Sequence, residues 1–211
     1  MTANDHGGRG LALAEPRAQD AHVRSIDRAA VQRAARDLLR AVGADVEADA
    51  LKETPRRVAD AYAELLTPQP FRATTFPNDD AYDELIVAQA IPFHSLCMHH
   101  LLPFHGVAHI GYLPDQRIIG LSKLGRVVEF FSRDLQIQER LTTQIAGWLE
   151  GELEPKGVGV VLEAEHLCMS LRGVQKLGAR TVTSALRGLV RDDPRTRQEF
   201  LTLTTRSFYD K

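Results

Sequence analysis

One cysteine and three histidines lie close together in the stretch SLCMHHLLPFHG. Cys97 and His100 are separated by two residues, so one tight turn can supply a thiolate and an imidazole, which are preferred zinc ligands. The only other cysteine, Cys168, is the candidate third ligand. Three protein ligands with an open position are typical of catalytic zinc, whereas His99 or His105 as a fourth ligand would indicate a structural site. An ordinary buried position is the alternative for Cys168.

A second histidine accompanies each half of this candidate site. His99 directly precedes His100, and His166 lies two residues before Cys168. Imidazole titrates near pH ~6.5, so two histidines beside a metal-bound water can move protons in both directions. His166 as a hydrogen-bonded polar residue at a strand end is the alternative. The same arrangement in both halves favours proton transfer.

A group of polar residues could bind an anionic part of a ligand. Ser122, Lys123 and Arg126 lie at the start of a predicted helix, where free backbone N–H groups favour anions. Arg172 follows the second cysteine closely. The alternatives are a helix cap for Ser122 and solvated surface positions for the cations. Glu139 lies at the exposed side of an apolar helical stripe, which is an ordinary surface position.

The composition excludes several other classes of protein. The 211 residues include 26 Lys and Arg and 28 Asp and Glu, a net charge of -2, so no overall positive field attracts nucleic acid or a membrane surface. Two cysteines argue against a disulfide-stabilised secreted scaffold. No signal peptide or membrane-spanning apolar run is evident. We expect a cytoplasmic protein with no nucleic-acid or membrane partner. The HExxH, GxSxG, Walker and zinc-deaminase motifs are absent.

The elements that must position these residues indicate an α+β fold with an antiparallel sheet packed by helices, plus an N-terminal helical extension. We expect a disordered tail over residues 1–23, a helical segment over 24–83 and a catalytic domain over 84–211. Ser25 and Thr54 are the expected caps of the first two helices.

Within residues 84–211, apolar periodicity predicts strands and helices in alternating pairs. The predicted strands are ELIVAQAI, GVAHIGYL, RIIGL, GVGVVLEAEHLCMSLRG and ARTVTSALRGL. The predicted helices are SKLGRVVEFFSRD, QIQERLTTQIAGWLEGEL and PRTRQEFLTL. PDQ is the expected turn between the second and third strands, and residues 71–83 are an expected loop.

Several separated motifs resemble the GTP cyclohydrolase I family. SLCMHHLLPFHG, GYLPDQRIIGLSKLGRVVEFFSRDLQIQERLTTQI, EAEHLCMSLRGVQK and TVTSALRG occur in the family's order, and TPRRVADAY extends the likeness towards the N-terminus. The resemblance implies a tunnelling fold and a homo-oligomer, typically a decamer, with active sites at subunit interfaces. It also implies hydrolysis of GTP to 7,8-dihydroneopterin triphosphate and formate, a first step of pterin and folate-type biosynthesis.

The resemblance further implies roles at the metal. Cys97, His100 and Cys168 would hold one zinc ion per subunit, and zinc would lower the pKa of a water that attacks C8 of guanine. His99 and His166 would transfer the protons that ring opening and loss of formate require.

The remaining candidates would bind or act on the rest of GTP. Glu139, with Gln138 beside it, would hold the guanine edge, because a carboxylate can accept from both N1–H and the exocyclic amine. Ser122 would act at the ribose. Four cations would bind the triphosphate: Lys123, Arg126, Arg172 and Arg57.

One position departs from the family's usual pattern. The family reads CEHH where this chain has Met98 in place of the glutamate. Methionine carries no charge and accepts hydrogen bonds only weakly. We expect turnover to persist, because every other motif residue is present. The alternatives are an enzyme that stops at the ring-opened intermediate, or a protein that only binds nucleotide or pterin. A structural-zinc nucleic-acid module is a third class, which the slightly acidic composition disfavours.

Overall fold

The computed structural model describes residues 24–205, which form seven helices and seven strands over that range. The helices are α1 Arg28–Ala41, α2 Thr54–Leu65, α3 Leu121–Ser132, α4 Gln138–Leu153, α5 Leu167–Ser170, α6 Leu189–Asp192 and α7 Pro194–Thr205. The strands are β1 Thr75–Pro77, β2 Ile86–Cys97, β3 Pro103–Leu113, β4 Arg117–Ile119, β5 Leu135–Gln136, β6 Gly157–His166 and β7 Arg180–Gly188. The α+β class is confirmed.

The main sheet has five strands in the order β5-β2-β3-β6-β7. The four long strands are antiparallel, whereas the two residues of β5 pair in parallel with the end of β2. Because β2 and β6 both run antiparallel to β3, their carboxyl ends reach the same edge of the sheet, on either side of the start of β3. This topology brings the two candidate half-sites, distant in sequence, to one place.

Helices α3 and α4 cover one face of the main sheet. Their predicted apolar stripes are buried, with Leu124, Val127, Leu141 and Ile145 all at 0% exposure. Each such side chain contributes about 1.5–3 kcal/mol when it is removed from water. The sheet supplies the opposite side of this core, where Phe104 is also fully buried. The helix α4 that carries Gln138 and Glu139 is therefore fixed rigidly against β6 and β7.

Helix α7 packs on the sheet through one aromatic ring. Phe200 is fully buried, and a Cβ atom added to Gly159 or Gly111 would lie only 2.6 Å or 2.8 Å from its ring. Gly111 and Gly159 are paired in register on β3 and β6. The two missing side chains thus create the space that the ring occupies.

The first two helices begin at residues other than those expected. The cap of α1 is Asp27 rather than Ser25, because the Asp27 carboxylate accepts a 2.9 Å hydrogen bond from Ala30 N and so satisfies a free N–H of the first turn. The cap of α2 is Glu53, and Thr54 is the first helical residue.

Helix α3 also begins earlier than expected. Its cap is Gly120, whose carbonyl oxygen accepts from Lys123 N at 2.8 Å, and its first residue is Leu121. The interpretation of Ser122 as the cap is therefore wrong, and Ser122 lies within the first turn.

Three strand expectations also need correction. The expected loop over residues 71–83 contains β1, which pairs with β4, so β4 does not form a hairpin with β3. The predicted strand through Cys168 ends at His166, and the chain continues into the short helix α5. Local apolar patterning could not reveal these features. Long-range strand pairing decides the first two, and a single helical turn decides the third.

The expected domain boundaries stay predictions. The tail assigned to residues 1–23 lies outside the described residues. The segment assigned to 24–83 makes contacts with the rest of the chain, since Phe71 packs against Phe130 and Trp148 with ring centroids 5.7 Å and 5.3 Å away. The Tyr62 hydroxyl, on α2, donates a hydrogen bond to Leu101 O at 3.2 Å.

Candidate metal centre

The two half-sites meet at the edge of the sheet where β2 and β6 end. The sulfur atoms of Cys97 and Cys168 and a ring nitrogen of His100 all lie within 4.8 Å of one another. Cys97 Sγ is 3.7 Å from His100 Nδ1. Ligands bound at ~2.0–2.3 Å to a tetrahedral zinc ion lie roughly 3.5 Å apart, so the three side chains fit such an ion with small adjustments. His99 and His105 are outside this group, which supports an open rather than a closed coordination sphere.

The first half-site is a tight turn between β2 and β3. The carbonyl oxygen of Cys97 accepts hydrogen bonds from His100 N at 3.3 Å and Leu101 N at 2.9 Å. Leu101 has a left-handed φ of +55°, which reverses the chain. Met98 N donates to Gln136 O at 3.0 Å and so anchors the turn to β5. The C-x2-H spacing thus becomes one turn that presents both ligands to the same side.

The second half-site depends on the short helix α5. Cys168 is its second residue, two residues beyond the end of β6. Burial raises the pKa of the Cys168 thiol, and the adjacent Cys97 thiol raises it further, whereas the Arg172 guanidinium acts in the opposite direction. The Cys168 thiol thus resists ionisation in the absence of a metal, and a divalent cation would reverse this by stabilising the thiolate. The donor set therefore suits a metal ion.

The two companion histidines lie in different environments. His99 is exposed, and its Nδ1 is 3.8 Å from Cys97 Sγ. His166 is partly buried, with its ring stacked on Phe104 at a centroid distance of 4.6 Å and an angle of 2°. Burial lowers the pKa of His166, although the Glu139 carboxylate partly opposes this effect. Burial therefore favours the neutral form of the His166 imidazole.

Gln138, the first residue of α4, is buried and fully hydrogen-bonded. Its Oε1 lies 2.8 Å from His166 Nε2. Its Nε2 donates to Leu162 O at 3.1 Å and Thr181 O at 2.9 Å, and lies 3.1 Å from Thr183 Oγ1. Both ends of the amide thus bind protein groups, on β6, β7 and His166. The guanine-binding role expected from the sequence stays a prediction for this residue.

A cavity of about 220 Å³ opens beside the candidate ligands. Its lining consists of Cys97, His99, His100, Gln136, Ile137, Gln138, Glu139, His166, Cys168, Met169 and Thr181. Seven of these residues were candidates from the sequence. The exposed carboxylate of Glu139 stands in the first turn of α4 and faces the same space. The structure therefore joins the candidate metal ligands, the companion histidines and a carboxylate in one site.

Comparison with known proteins gives consistent matches over nearly all of the described chain. The family model for GTP cyclohydrolase I matches residues 31–205. GTP cyclohydrolase 1 of Aquifex aeolicus is 52% identical, covering 85% of this chain and 97% of its own length. The proteins of the same name from Mycobacteroides abscessus and Thermobifida fusca are 50% and 49% identical, covering 86% and 84% of this chain and 91% and 88% of theirs.

The chain belongs to the GTP cyclohydrolase I family. The resemblance noted from its motifs is confirmed, and the antiparallel sheet packed by helices agrees with the tunnelling fold that it implied. Among solved structures, the archaeosine synthase QueF-Like in the apo form matches 49% of this chain and 93% of its own, at 14% identity and a TM-score of 0.40. No helix in residues 24–205 is both long and apolar enough to cross a membrane.

The residues expected to bind the rest of the GTP cyclohydrolase substrate lie outside the cavity lining. They are Ser122, Lys123, Arg126, Arg172 and Arg57. The first three lie on α3, Arg57 lies on α2, and Arg172 directly follows α5. Arg172 is near enough to Cys168 to lower the pKa of its thiol, but none of the five lines the cavity, so their assigned roles stay predictions.

Sequence reasoning missed several residues of the site. The cavity lining also includes Gln136, Ile137, Met169 and Thr181. In addition, the Phe104 ring stacks on the ring of His166. Phe104 lies two residues before the predicted strand GVAHIGYL, and the sequence analysis assigned it no role. Its register opposite His166 was the missing signal, and register appears only once the strands are paired.

Met98 occupies the position where the GTP cyclohydrolase I family usually has glutamate. Its side chain is 43% exposed and is not part of the cavity lining. The substitution therefore leaves no unpaired buried group and opens no void beside the ligands. This exposure is the reason to expect that turnover survives the change.

Proposed function

We propose that this protein hydrolyses GTP to 7,8-dihydroneopterin triphosphate and formate, with zinc held by Cys97, His100 and Cys168. The observation that carries the proposal is the meeting of these ligands with His166 and Glu139 in one cavity, in a chain of the GTP cyclohydrolase I family. When bound, zinc supplies Lewis acidity and lowers the pKa of water to near neutrality.

The cavity and Glu139 account for recognition of the guanine base. A volume of about 220 Å³ is below the ~300–1,000 Å³ of typical sites for whole drug-sized ligands, so it suits the base rather than the entire nucleotide. The Glu139 carboxylate accepts from N1–H and the exocyclic amine of guanine, which adenine does not offer in this combination. The ribose and triphosphate then extend towards Ser122 and the four expected cations.

The two companion histidines account for proton transfer. His166 lines the cavity, and its imidazole can take up a proton from water or return one to the ring nitrogens of the base. His99 lies beside the first metal ligand and is exposed to solvent. One buried and one exposed imidazole provide a route for protons between the substrate and bulk water.

The proposal includes assembly into a homo-oligomer, with the family's decamer as the expected form. The outer edge of β7 has no strand partner within residues 24–205, and β5 covers only Leu96 and Cys97 of β2. Two free edges on one subunit can pair head to tail, and such contacts close into rings. Native mass spectrometry tests this point, and a 23.4 kDa monomer under assay conditions would contradict it.

Neighbouring subunits would also supply the cations that the single-chain cavity lacks. The loop after Cys168 exposes Leu171, Val174 and Leu177 at 62%, 62% and 77%, and apolar exposure of this extent is typical of an interface. We further propose a cytoplasmic location, because two free cysteines hold a metal only where they stay reduced.

The decisive experiment is product analysis with zinc-loaded protein and GTP. We expect equal amounts of formate and of a pterin that becomes fluorescent on oxidation. Accumulation of a ring-opened formamide without formate would show an enzyme that stops early, and absence of all products would overturn the proposal. ATP is the matched control, because adenine has an unprotonated N1 and no amine at C2, so it does not offer the pair of donors that Glu139 accepts.

A further inference from the structure

The hydrogen bonds of Gln138 determine which way its amide points. Its Nε2 lies near two backbone carbonyl oxygens, Leu162 O and Thr181 O. Carbonyl oxygens only accept hydrogen bonds, so the amide NH2 must face them. The reverse orientation would place Oε1 against both carbonyls and leave three buried oxygen atoms without a proton between them, which is strongly unfavourable.

This orientation in turn determines the protonation of the His166 ring. With its NH2 group committed to the carbonyls, Gln138 presents Oε1 to His166 Nε2 at 2.8 Å. An amide oxygen only accepts, so Nε2 must carry the hydrogen. In the neutral ring Nδ1 is then the unprotonated nitrogen, and no described residue forms a hydrogen bond with it.

We infer that Gln138 is a positioning residue that holds His166 as the Nε2–H tautomer and leaves Nδ1 as the atom that exchanges protons with the substrate. The inference rests on the proposed function, in which His166 transfers protons. It also assigns Gln138 a role behind the histidine rather than at the guanine edge.

Two further contacts make the arrangement rigid. Stacking on fully buried Phe104 fixes the plane of the His166 ring, so the bond from Gln138 has only to fix its rotation within that plane. Thr142 Oγ1 donates to Gln138 O at 2.7 Å and lies 2.6 Å from Thr183 Oγ1. The Thr142 bond fixes the main chain of Gln138, and Thr183 Oγ1 also lies 3.1 Å from Gln138 Nε2, so groups of β6 and β7 hold the side-chain amide. An imidazole held in one tautomer begins each cycle in the reactive form, without a prior rearrangement.

Solid-state 15N NMR tests the tautomer directly in the wild-type protein. The zinc-loaded protein is labelled at its histidine nitrogens and studied near pH ~8, where imidazole is neutral. The His166 signals are identified by their loss in His166→Asn. We expect a protonated Nε2 and an unprotonated Nδ1. A proton on Nδ1 would overturn the inference without any variant of Gln138.

The variant Gln138→Met tests the effect on catalysis, because methionine fills similar space without the acceptor. We expect a mixture of His166 tautomers, a kcat lower by about 10²-fold or more, and a KM within about threefold of wild type. Zinc content should not change. Gln144→Met on the same helix is the matched control, because Gln144 Oε1 accepts a hydrogen bond from Gln136 Nε2 and forms none with His166. This variant should keep the Nε2–H signal of His166.

The possible outcomes separate the inference from its alternatives. A raised KM with an unchanged kcat in Gln138→Met would show that Gln138 binds guanine directly, which overturns the inference. Retention of the pure Nε2–H form in this variant would overturn it as well. Failure of the wild-type protein to turn over GTP would instead overturn the proposed function. The NMR measurement would still decide separately whether Gln138 holds His166 as the Nε2–H tautomer.

Discussion

At the scale of single residues, the proposed zinc site depends on three candidate ligand atoms. Within residues 24–205 the group of potential ligands at metal-binding spacing comprises Cys97, His100 and Cys168. Removal of one thiolate leaves two protein ligands, which is too few for a stable zinc site. Replacement of any one of these residues should therefore abolish zinc binding, whereas replacement of the companion histidines should lower the catalytic rate.

We predict that Cys168→Ala abolishes stoichiometric zinc binding. Metal content after dialysis, measured by atomic emission, checks this prediction. Met169→Leu is the matched control, because Met169 lines the same cavity without belonging to the ligand group, and it should retain zinc. One zinc ion per chain in Cys168→Ala would refute the ligand set.

His166→Ala should separate metal binding from turnover. We expect zinc content like that of wild type, since His166 is outside the ligand group, and a loss of kcat of about 10²–10⁴-fold, the usual contribution of a general acid or base. Steady-state kinetics with GTP and metal analysis of the same preparation provide both values. A rate near that of wild type would remove His166 from the mechanism.

Met98→Glu should change the rate little, although it restores the usual family residue. The side chain at this position is 43% exposed and lies outside the cavity lining, where solvent weakens the effect of a new charge. We expect kcat within about threefold of wild type. An increase in kcat of tenfold or more would mean that a carboxylate at this position contributes to catalysis and that Met98 costs this chain that contribution.

At the scale of elements, the site depends on how α7 and the sheet hold β3 and β6 in register. Phe200 occupies the space above the paired glycines Gly111 and Gly159. Their register is the one that also places Phe104 opposite His166. Packing on one side of the sheet thus supports the catalytic geometry at its far end.

We predict that Gly159→Ala destabilises the protein by about 1–3 kcal/mol, the usual cost of overpacking a core. The new Cβ would lie 2.6 Å from the Phe200 ring, which must move with α7. Chemical denaturation checks the free energy of unfolding. Gly151→Ala is the control, because Gly151 lies in the last turn of α4 and a Cβ there meets nothing within 4 Å, so alanine should not destabilise the protein. Equal effects of both substitutions would contradict the packing argument.

At the scale of the whole molecule, a buried histidine links stability to pH. His109 is 4% exposed within the main sheet, and its Nδ1 accepts from Ala90 N at 3.4 Å. Burial lowers the pKa of His109 below its ordinary value of 6.5, with a smaller opposing effect from the Glu163 carboxylate. The unfolded chain therefore binds a proton at higher pH than the folded chain does.

This difference predicts a loss of stability in acid. The contribution of neutral His109 is fully present above pH ~6.5 and declines as pH falls below that value, because the unfolded state then takes up the extra proton. The free energy of unfolding should fall less steeply between about pH 7 and 5 in His109→Gln than in wild type. Exposed His94→Gln should behave like wild type. Parallel curves for wild type and His109→Gln would contradict this assignment.

The sequence by itself determined the α+β class and the family, and it supplied the candidate ligands and companion histidines that the structure brings together. Short-range spacing specifies these features, since C-x2-H fits one turn and apolar periodicity marks α3, α4 and the long strands. The caps of α1, α2 and α3 were misjudged because several polar residues compete at each helix start and only the geometry decides between them.

Only the tertiary structure decided how Gln138 is used. In the sequence it stands beside Glu139, and the resemblance placed both at the guanine edge. In the folded chain the first turn of α4 directs Gln138 into the sheet, where carbonyl groups of β6 and β7 take its donors and His166 takes its acceptor. Hydrogen-bond partners 24 to 45 residues away set that role, and spacing along the chain carries no record of them.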